Sequence, residues 1–213
     1  MPYAVDHDYF QKNVVSCSLR GEQFRASLHL RAGRPVVLFS GKLMDYKRPQ
    51  DLLQAWILLF RKNMNPLPYL LFVGDGVLRK KLESMVDAAG ARESVRFIGF
   101  LNQSEISAYY DLCDVFVLPS DAEPWGLVVN EVMNFARPVI VSDKVGCGPD
   151  LVKNGVNGHI FPVYDVNMLA RYIEILVKDK NTLRQYGNNS VNIINSWNYD
   201  KDIEALHAAL DMA

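Results

Sequence analysis

Val115-Phe-Val-Leu-Pro-Ser-Asp-Ala-Glu-Pro-Trp-Gly-Leu-Val-Val-Asn-Glu131 is the stretch on which the reading of this chain turns. Its first four residues are an uninterrupted apolar run, the pattern of a short strand covered on both faces. Pro119-Ser120-Asp121 ends the run, and after Gly126 the apolar residues Val128, Val129, Val132 and Met133 recur at helical spacing. A strand therefore passes through a loop into a helix, the unit from which parallel α/β sheets are built. Glu123 falls on the loop, and Glu131 falls eight positions later, about two turns into the expected helix.

The same alternation continues in both directions. Val36-Val-Leu-Phe39, Tyr69-Leu-Leu-Phe-Val73, Val95-Arg-Phe-Ile98 and Pro138-Val-Ile-Val141 read as strands, with His159-Ile-Phe161 a weaker sixth. Between them, Leu52, Leu53, Trp56, Ile57 and Phe60 follow a helical period after Pro49. Leu78, Leu82, Met85 and Val86 do the same before Gly90, and Leu169, Ile173, Leu176 and Val177 repeat it near the end. Ile106, Tyr109 and Tyr110 make a short helix whose expected N-cap is Ser104. The fold class this predicts is α/β, a doubly wound parallel (Rossmann-like) sheet of about six strands. The expected organisation is a lead-in segment over 1–34, the Rossmann-like domain over 35–178, and C-terminal helices over 179–213 packing on it. The lead-in shows Tyr9-Phe10 and a helical stretch near Phe24–Leu30, but no strong strand.

Composition narrows the function classes. The 213 residues are 49% hydrophobic with a formal net charge of −1, enough for a substantial core and too balanced for a dedicated nucleic-acid binder. Cys17, Cys113 and Cys147 are widely spaced, which reads as reduced thiols and not as a disulfide framework or zinc site. No apolar run approaches the roughly 18 residues of a membrane span, and no secretory h-region opens the sequence. The expectation is a soluble, cytoplasmic protein.

In a doubly wound sheet, ligands sit beyond the carboxyl ends of the strands, so the loops there carry the chemistry. After the first strand come Gly41 and Lys42, then Lys47 and Arg48, a basic loop suited to a diphosphate although it lacks P-loop spacing. Standing alone, it is as readily a solvated turn. Gly74-Asp75-Gly76 follows the second strand, where a simple turn is the plainer reading. Gly99-Phe100-Leu101 follows the third and can hold a flat base or merely connect two elements. Gly126 opens a helix whose unpaired N–H groups favour anions. Glu123 lies beside that end, and Glu131 offers an acceptor-only group to a ribose diol. Together these features suit a nucleotide sugar.

Seven segments in order resemble glycosyltransferase family 4 of the GT-B class. They are Ser40-Gly41-Lys42 with Lys47, Val73-Gly-Asp-Gly76, Phe97-Ile-Gly-Phe100, Val117-Leu-Pro-Ser120, Glu123-x7-Glu131, Pro138-Val-Ile-Val-Ser-Asp143 and Gly155-Val-Asn-Gly158. The resemblance covers residues 35–178. It implies a retaining transferase, of hexosyltransferase type, that takes a nucleotide-sugar donor, expected to be a UDP-sugar. It implies that Lys42 and Lys47 neutralise the donor diphosphate and that Gly41 and Gly74 shape the loops around it. Glu123 would contact sugar hydroxyls, Trp125, Gly126 and Leu127 would support the phosphates through their backbone, and Glu131 would bind the ribose. The base would rest near Phe97, Ile98 and Gly99. Lys42, Lys47 and Glu123 are thus the expected catalytic set, with no metal and no cofactor.

The resemblance also implies an N-terminal acceptor domain ahead of residue 1, since residues 1–10, Met-Pro-Tyr-Ala-Val-Asp-His-Asp-Tyr-Phe, are similar to the Pro-x-Gly-Val-Asp…Phe segment that leads into the second GT-B domain. The acceptor would be a glycan, lipid or other hydroxyl compound, and the full-length enzyme would be cytoplasmic or peripheral at the inner membrane face. Departures are Lys42 where Arg is common, Glu123-Pro-Trp-Gly126 where Phe precedes the glycine, and the bulk of Val132, Phe135 and Arg137. Three other readings stand beside this one: a paired-carboxylate glycoside hydrolase, a GT-B nucleotide-sugar epimerase, and a donor-binding module inert alone. Asp6-His7-Asp8 matches the metal-binding Asp-x-Asp of GT-A transferases, but no strand precedes it.

Overall fold

The structure, a computed structural model, describes residues 3–18 and 21–211. Residues 1, 2, 19, 20, 212 and 213 of the expected lead-in and C-terminal segments lie outside the described residues. Six strands form one sheet: β1 (Val36–Ser40), β2 (Tyr69–Val73), β3 (Val95–Gly99), β4 (Val115–Leu118), β5 (Val139–Ser142) and β6 (Gly158–Phe161). Their order is β3-β2-β1-β4-β5-β6 and every pairing is parallel, which is the doubly wound Rossmann-like order.

Ten helices accompany the strands among the described residues. Two come first, α1 (His7–Ser18) and α2 (Gly21–Ser27). Those threaded through the sheet are α3 (Pro49–Arg61), α4 (Arg79–Ala88), α5 (Gln103–Leu112), α6 (Leu127–Met133), α7 (Gly148–Leu151) and α8 (Val166–Lys178). The chain closes with α9 (Lys180–Ile194) and α10 (Tyr199–Asp211). No helix among the described residues is long and apolar enough to cross a membrane.

The sheet separates two cores. Val37, Phe39, Leu70 and Phe72 pack with Trp56, Leu82 and Ile173 on one side, whereas Leu38, Leu71 and Phe116 pack with Phe10, Tyr110 and Val132 on the other. Successive strand residues serve opposite cores, which is why β2 and β4 are apolar throughout and β1 and β5 are apolar up to their final serines. Each such Leu, Val or Phe side chain removed from water contributes about 1.5–3 kcal/mol, which is why the central strand positions are apolar.

One helix is added and two local expectations are corrected. Helix α1 lies in a segment without helical signal in the sequence; Asp6 Oδ1 accepts from Tyr9 N at 2.9 Å at its start. The cap of α5 is Asn102, not Ser104: Asn102 Oδ1 accepts from both Ser104 N and Glu105 N, and the Glu105 carboxylate accepts from Asn102 N. Because α6 begins only at Leu127, Glu131 is its fifth residue, little more than one turn in.

His159, on β6, lies flat against Tyr172 with ring centroids 4.1 Å apart, and its buried Nε2 has no hydrogen-bond partner among the described residues. Burial lowers its pKa below the ordinary value of about 6.5. A depressed histidine binds its proton more readily once unfolded, so its contribution is present above pH ~6.5 and is lost on acidification through the folded value. His159→Phe should retain the stack and remove this acid sensitivity. Urea midpoints of the two proteins should diverge as pH falls below ~6.5; a constant difference would exonerate His159.

Candidate functional site

The direction in which successive strands are added reverses between β1 and β4, because β1 leads to β2 on one side and β4 leads to β5 on the other. The crevice at their carboxyl ends is the topological switch point. The loop after β1 runs from Gly41 through a 3₁₀ turn at Asp45–Lys47. It is laced to the loop after β2 by Gly41 N to Val73 O, Leu43 N to Asp75 O and Leu78 N to Leu43 O, each 3.0 Å. This lacing explains Gly74, where a Cβ would stand 2.0 Å from the Gly41 carbonyl oxygen. Gly74-Asp75-Gly76 is therefore a close-approach surface more than a simple turn.

The loop after β4 is held differently. Glu123 N donates to Lys144 O at 3.3 Å, Gly146 N donates to Glu123 O at 2.9 Å, and Cys147 N donates to Trp125 O at 2.9 Å. The segment after β5 thus backs the glutamate loop as a short parallel ladder. Across the switch point, Lys47 Nζ donates to Glu123 Oε2. Their side chains are only 16% and 13% exposed, so deleting either leaves the other as a poorly solvated charge.

Glu131 lies deeper. Burial pushes its carboxyl up from the ordinary value, and the Tyr110 phenol, donating at 2.6 Å, partly offsets this. Burial and the neighbouring Glu131 charge push Tyr110 well above the usual phenol range, and the nearby Ser40 at the end of β1 partly offsets this. The Tyr110–Glu131 hydrogen bond therefore ties α5 to α6.

Gly126 is the left-handed N-cap of α6, with φ 97°, and a Cβ there would crowd Leu118, Val145 and Glu123. Leu127 is exposed, and its N–H belongs to the first turn, which has no partner within the helix. The Trp125 side chain turns away from the loop: it stacks against Tyr3 and Trp197 and donates from Nε1 to Asn130 Oδ1 at 2.9 Å. Only its backbone remains available to a ligand.

A cavity of about 420 Å³ adjoins this cluster, lined by Ser40, Gly41, Lys42 and Gly74 on one side and by Val77 and Phe100 on the other. Lys42 stands exposed at its edge. The side chains of Phe97 and Ile98 do not line it. Phe97 stacks on Phe72 within one core and Ile98 packs against the other, leaving Gly99 to turn the chain so that Phe100 and Leu101 face the cavity. The sequence-expected residues thus gather at one edge of the sheet, except for these two rings and chains inside it. Tyr110 was read only as an apolar helix residue; nothing in its spacing marks it as the partner of Glu131.

A larger cavity, about 890 Å³, opens at the opposite edge, near the starts of β1, β4 and β5. Two of its arginines already serve the fold: Arg137 donates to Tyr110 O and Asp111 O, and Arg25 to Arg31 O and Arg34 O. Asp6-His7-Asp8 is likewise structural in this arrangement. Asp6 opens α1, and His7 Nδ1 and Nε2 lie 2.8 and 2.6 Å from Asn134 Oδ1 and the Trp197 carbonyl. No group of three His, Cys, Asp or Glu side chains among the described residues is arranged to hold a metal ion.

Comparison with known proteins agrees with this geometry. The family described as glycosyl transferases group 1 matches residues 21–192. The α-D-kanosaminyltransferase of Streptomyces kanamyceticus is 31% identical over 161 residues, which make up 74% of this chain and 41% of that protein. Among solved structures, Anabaena HepE in complex with UDP superposes over 100% of this chain and 57% of its own, with a TM-score of 0.82 at 22% identity. The C-terminal domain of the Francisella tularensis glycosyl transferase group 1 protein LpcC superposes over 83% of this chain and 91% of its own, with a TM-score of 0.73 at 22% identity. The chain spans less than half the length of its kanosaminyltransferase relative. From its sheet order, its switch-point loops and the family match over most of its length, the chain belongs to the glycosyl transferases of group 1 and carries a Rossmann-like domain of GT-B type.

Proposed function

We propose that this chain is the donor-binding domain of a retaining glycosyltransferase that transfers a sugar from a UDP-sugar to an acceptor hydroxyl in polysaccharide or glycoconjugate synthesis. The observation that carries the reading is the shielded Lys47–Glu123 pair at the switch point, beside an apolar cavity and a buried diol-sized acceptor. Glu131 would take the ribose hydroxyls, and the cavity edged by Gly74 and Phe100 would take the base. Lys47, Lys42 and the first turn of α6 would take the diphosphate, with Lys47 exchanging its Glu123 partner for phosphate oxygens. Glu123, released from Lys47, would then accept from sugar hydroxyls. Charge accumulates on the diphosphate as the glycosidic bond breaks, so fixed donors there stabilise the transition state. The donor phosphate would assist attack on the face from which it leaves, giving retention.

UDP as the nucleotude unit is supported by the fold likeness to HepE, whose structure holds UDP. Turnover would require an N-terminal GT-B acceptor domain, a proposal supported by the 41% of the kanosaminyltransferase that this chain spans; alone, the chain would bind donor and transfer little. Acceptor glycan or lipid, and any peripheral membrane contact, would be the business of that other domain.

Titration calorimetry of the chain with UDP-, GDP- and ADP-sugars tests the reading. Lys47→Ala should weaken UDP about 10- to 100-fold, the worth of one charge-assisted hydrogen bond, and leave uridine unaffected. Absence of binding by all three nucleotides, or equal UDP affinity in Lys47→Ala, would defeat it.

A further inference from the structure

Two bulky residues near the switch point hold a backbone conformation that side chains disfavour. Arg48, between the 3₁₀ turn and α3, has φ 52°, and Tyr164, in the loop after β6, has φ 70°. Neither is the Asn, Asp or Gly that normally occupies this region, and such strain persists only where surroundings impose it. Here the two side chains hold each other. The Arg48 guanidinium lies over the Tyr164 ring, 4.6 Å from its centroid, and is forked onto the buried Asp51 carboxylate at 2.8 and 2.9 Å. The Tyr164 hydroxyl donates to Asp121 Oδ2 at 3.0 Å, and Asp121 N donates to Tyr46 O at 2.9 Å.

These contacts close a ring through three loops. Arg48 follows Lys47 directly, and Asp121 precedes Glu123 by two positions. We propose that Arg48 and Tyr164 are positioning residues that clamp the β1 and β4 loops together and so aim the Lys47 ammonium at a bound diphosphate. The inference rests on the donor-binding reading for its ligand. It extends that reading to the loop after β6, which contributes no residue to the cavity or to the Lys47–Glu123 pair. Without the clamp, the 3₁₀ turn samples other arrangements, and apparent affinity falls by the fraction of molecules that remain competent.

Glycine adopts positive φ without strain, so Arg48→Gly and Tyr164→Gly remove the clamp while permitting the native backbone. Each should weaken UDP binding about 5- to 10-fold and change UMP binding less than about twofold. The double variant should match the single ones, because the two act as a unit. Tyr164→Phe keeps the stack and loses only the Asp121 bond, so its loss should be smaller. Hydrogen exchange of the amides at 42–48 should accelerate in both glycine variants without ligand. UDP affinities within twofold of the parent, or losses that add in the double variant, would overturn the clamp. If the parent binds no UDP, GDP or ADP, the donor reading falls and the clamp is judged on exchange alone: faster exchange at 42–48 upholds it and unchanged exchange overturns it.

Discussion

Gly74→Ala is expected to destabilise the protein by about 4 kcal/mol, lowering its melting temperature by roughly 10 °C. Two penalties combine. The alanine Cβ would stand 2.0 Å from Gly41 O and 2.9 Å from Gly41 C, inside any real contact distance, and the residue would have to keep φ 119°. Relief requires the β1 loop to withdraw, which breaks the 3.0 Å bonds Gly41 N to Val73 O and Leu43 N to Asp75 O. Withdrawal also carries Lys42 and Lys47 away, so nucleotide binding should fall in whatever fraction remains folded. Gly33→Ala provides the comparison: φ is 75° but nothing lies within 4 Å of the new methyl, leaving only the conformational cost of about 1–2 kcal/mol. Thermal denaturation of both variants decides the matter, and a Gly74→Ala protein that melts with Gly33→Ala would show that the two loops are not in contact.

Glu131 should show the largest effect on ligand. Its removal in Glu131→Ala takes away two charged acceptor oxygens and leaves the buried Tyr110 hydroxyl without its 2.6 Å acceptor. The second effect alone costs about 1–3 kcal/mol of stability, whereas the first should weaken both UDP and uridine about 100-fold. Glu131→Gln separates them. Its amide oxygen can still receive the Tyr110 proton, so stability should recover, but the neutral group binds a diol poorly and affinity should remain low. Calorimetry that finds UDP within threefold of the parent in both variants would remove Glu131 from the site.

The sheet was legible in the sequence because it is buried on both faces. The central strands had to be nearly continuous apolar runs, and those runs mark their positions closely: Tyr69–Val73 and Val115–Leu118 are bounded as expected, and the other four shift by one residue. Helix α1 was hidden for the opposite reason. Its core contacts come from Tyr9, Phe10 and Val14 near its start, and the apolar residues do not repeat at a sustained helical spacing. The cap of α5 was readable in principle, since Asn102-Gln-Ser-Glu105 has the spacing of a capping box. In the site, the residue types and their loops could be read, but not who holds whom. Lys47 and Glu123 meet across 76 positions, and Tyr110 reaches Glu131 from a neighbouring helix. Tyr164 offers no turn signal at all; its left-handed backbone follows from what Arg48 and Asp121 do around it.

The ladder that ties Glu123 and Trp125 to the segment 144–147 has a bearing on protein engineering. Its donors and acceptors are main-chain groups, and Gly146 admits no side chain because a Cβ would stand 2.0 Å from Pro124 O. Residues 121–126 and 143–148 are consequently one transplantable cassette. Grafting the glutamate loop of a relative onto this scaffold should keep the fold when both strips travel together and should misplace the Glu123 carboxylate when only the first is exchanged.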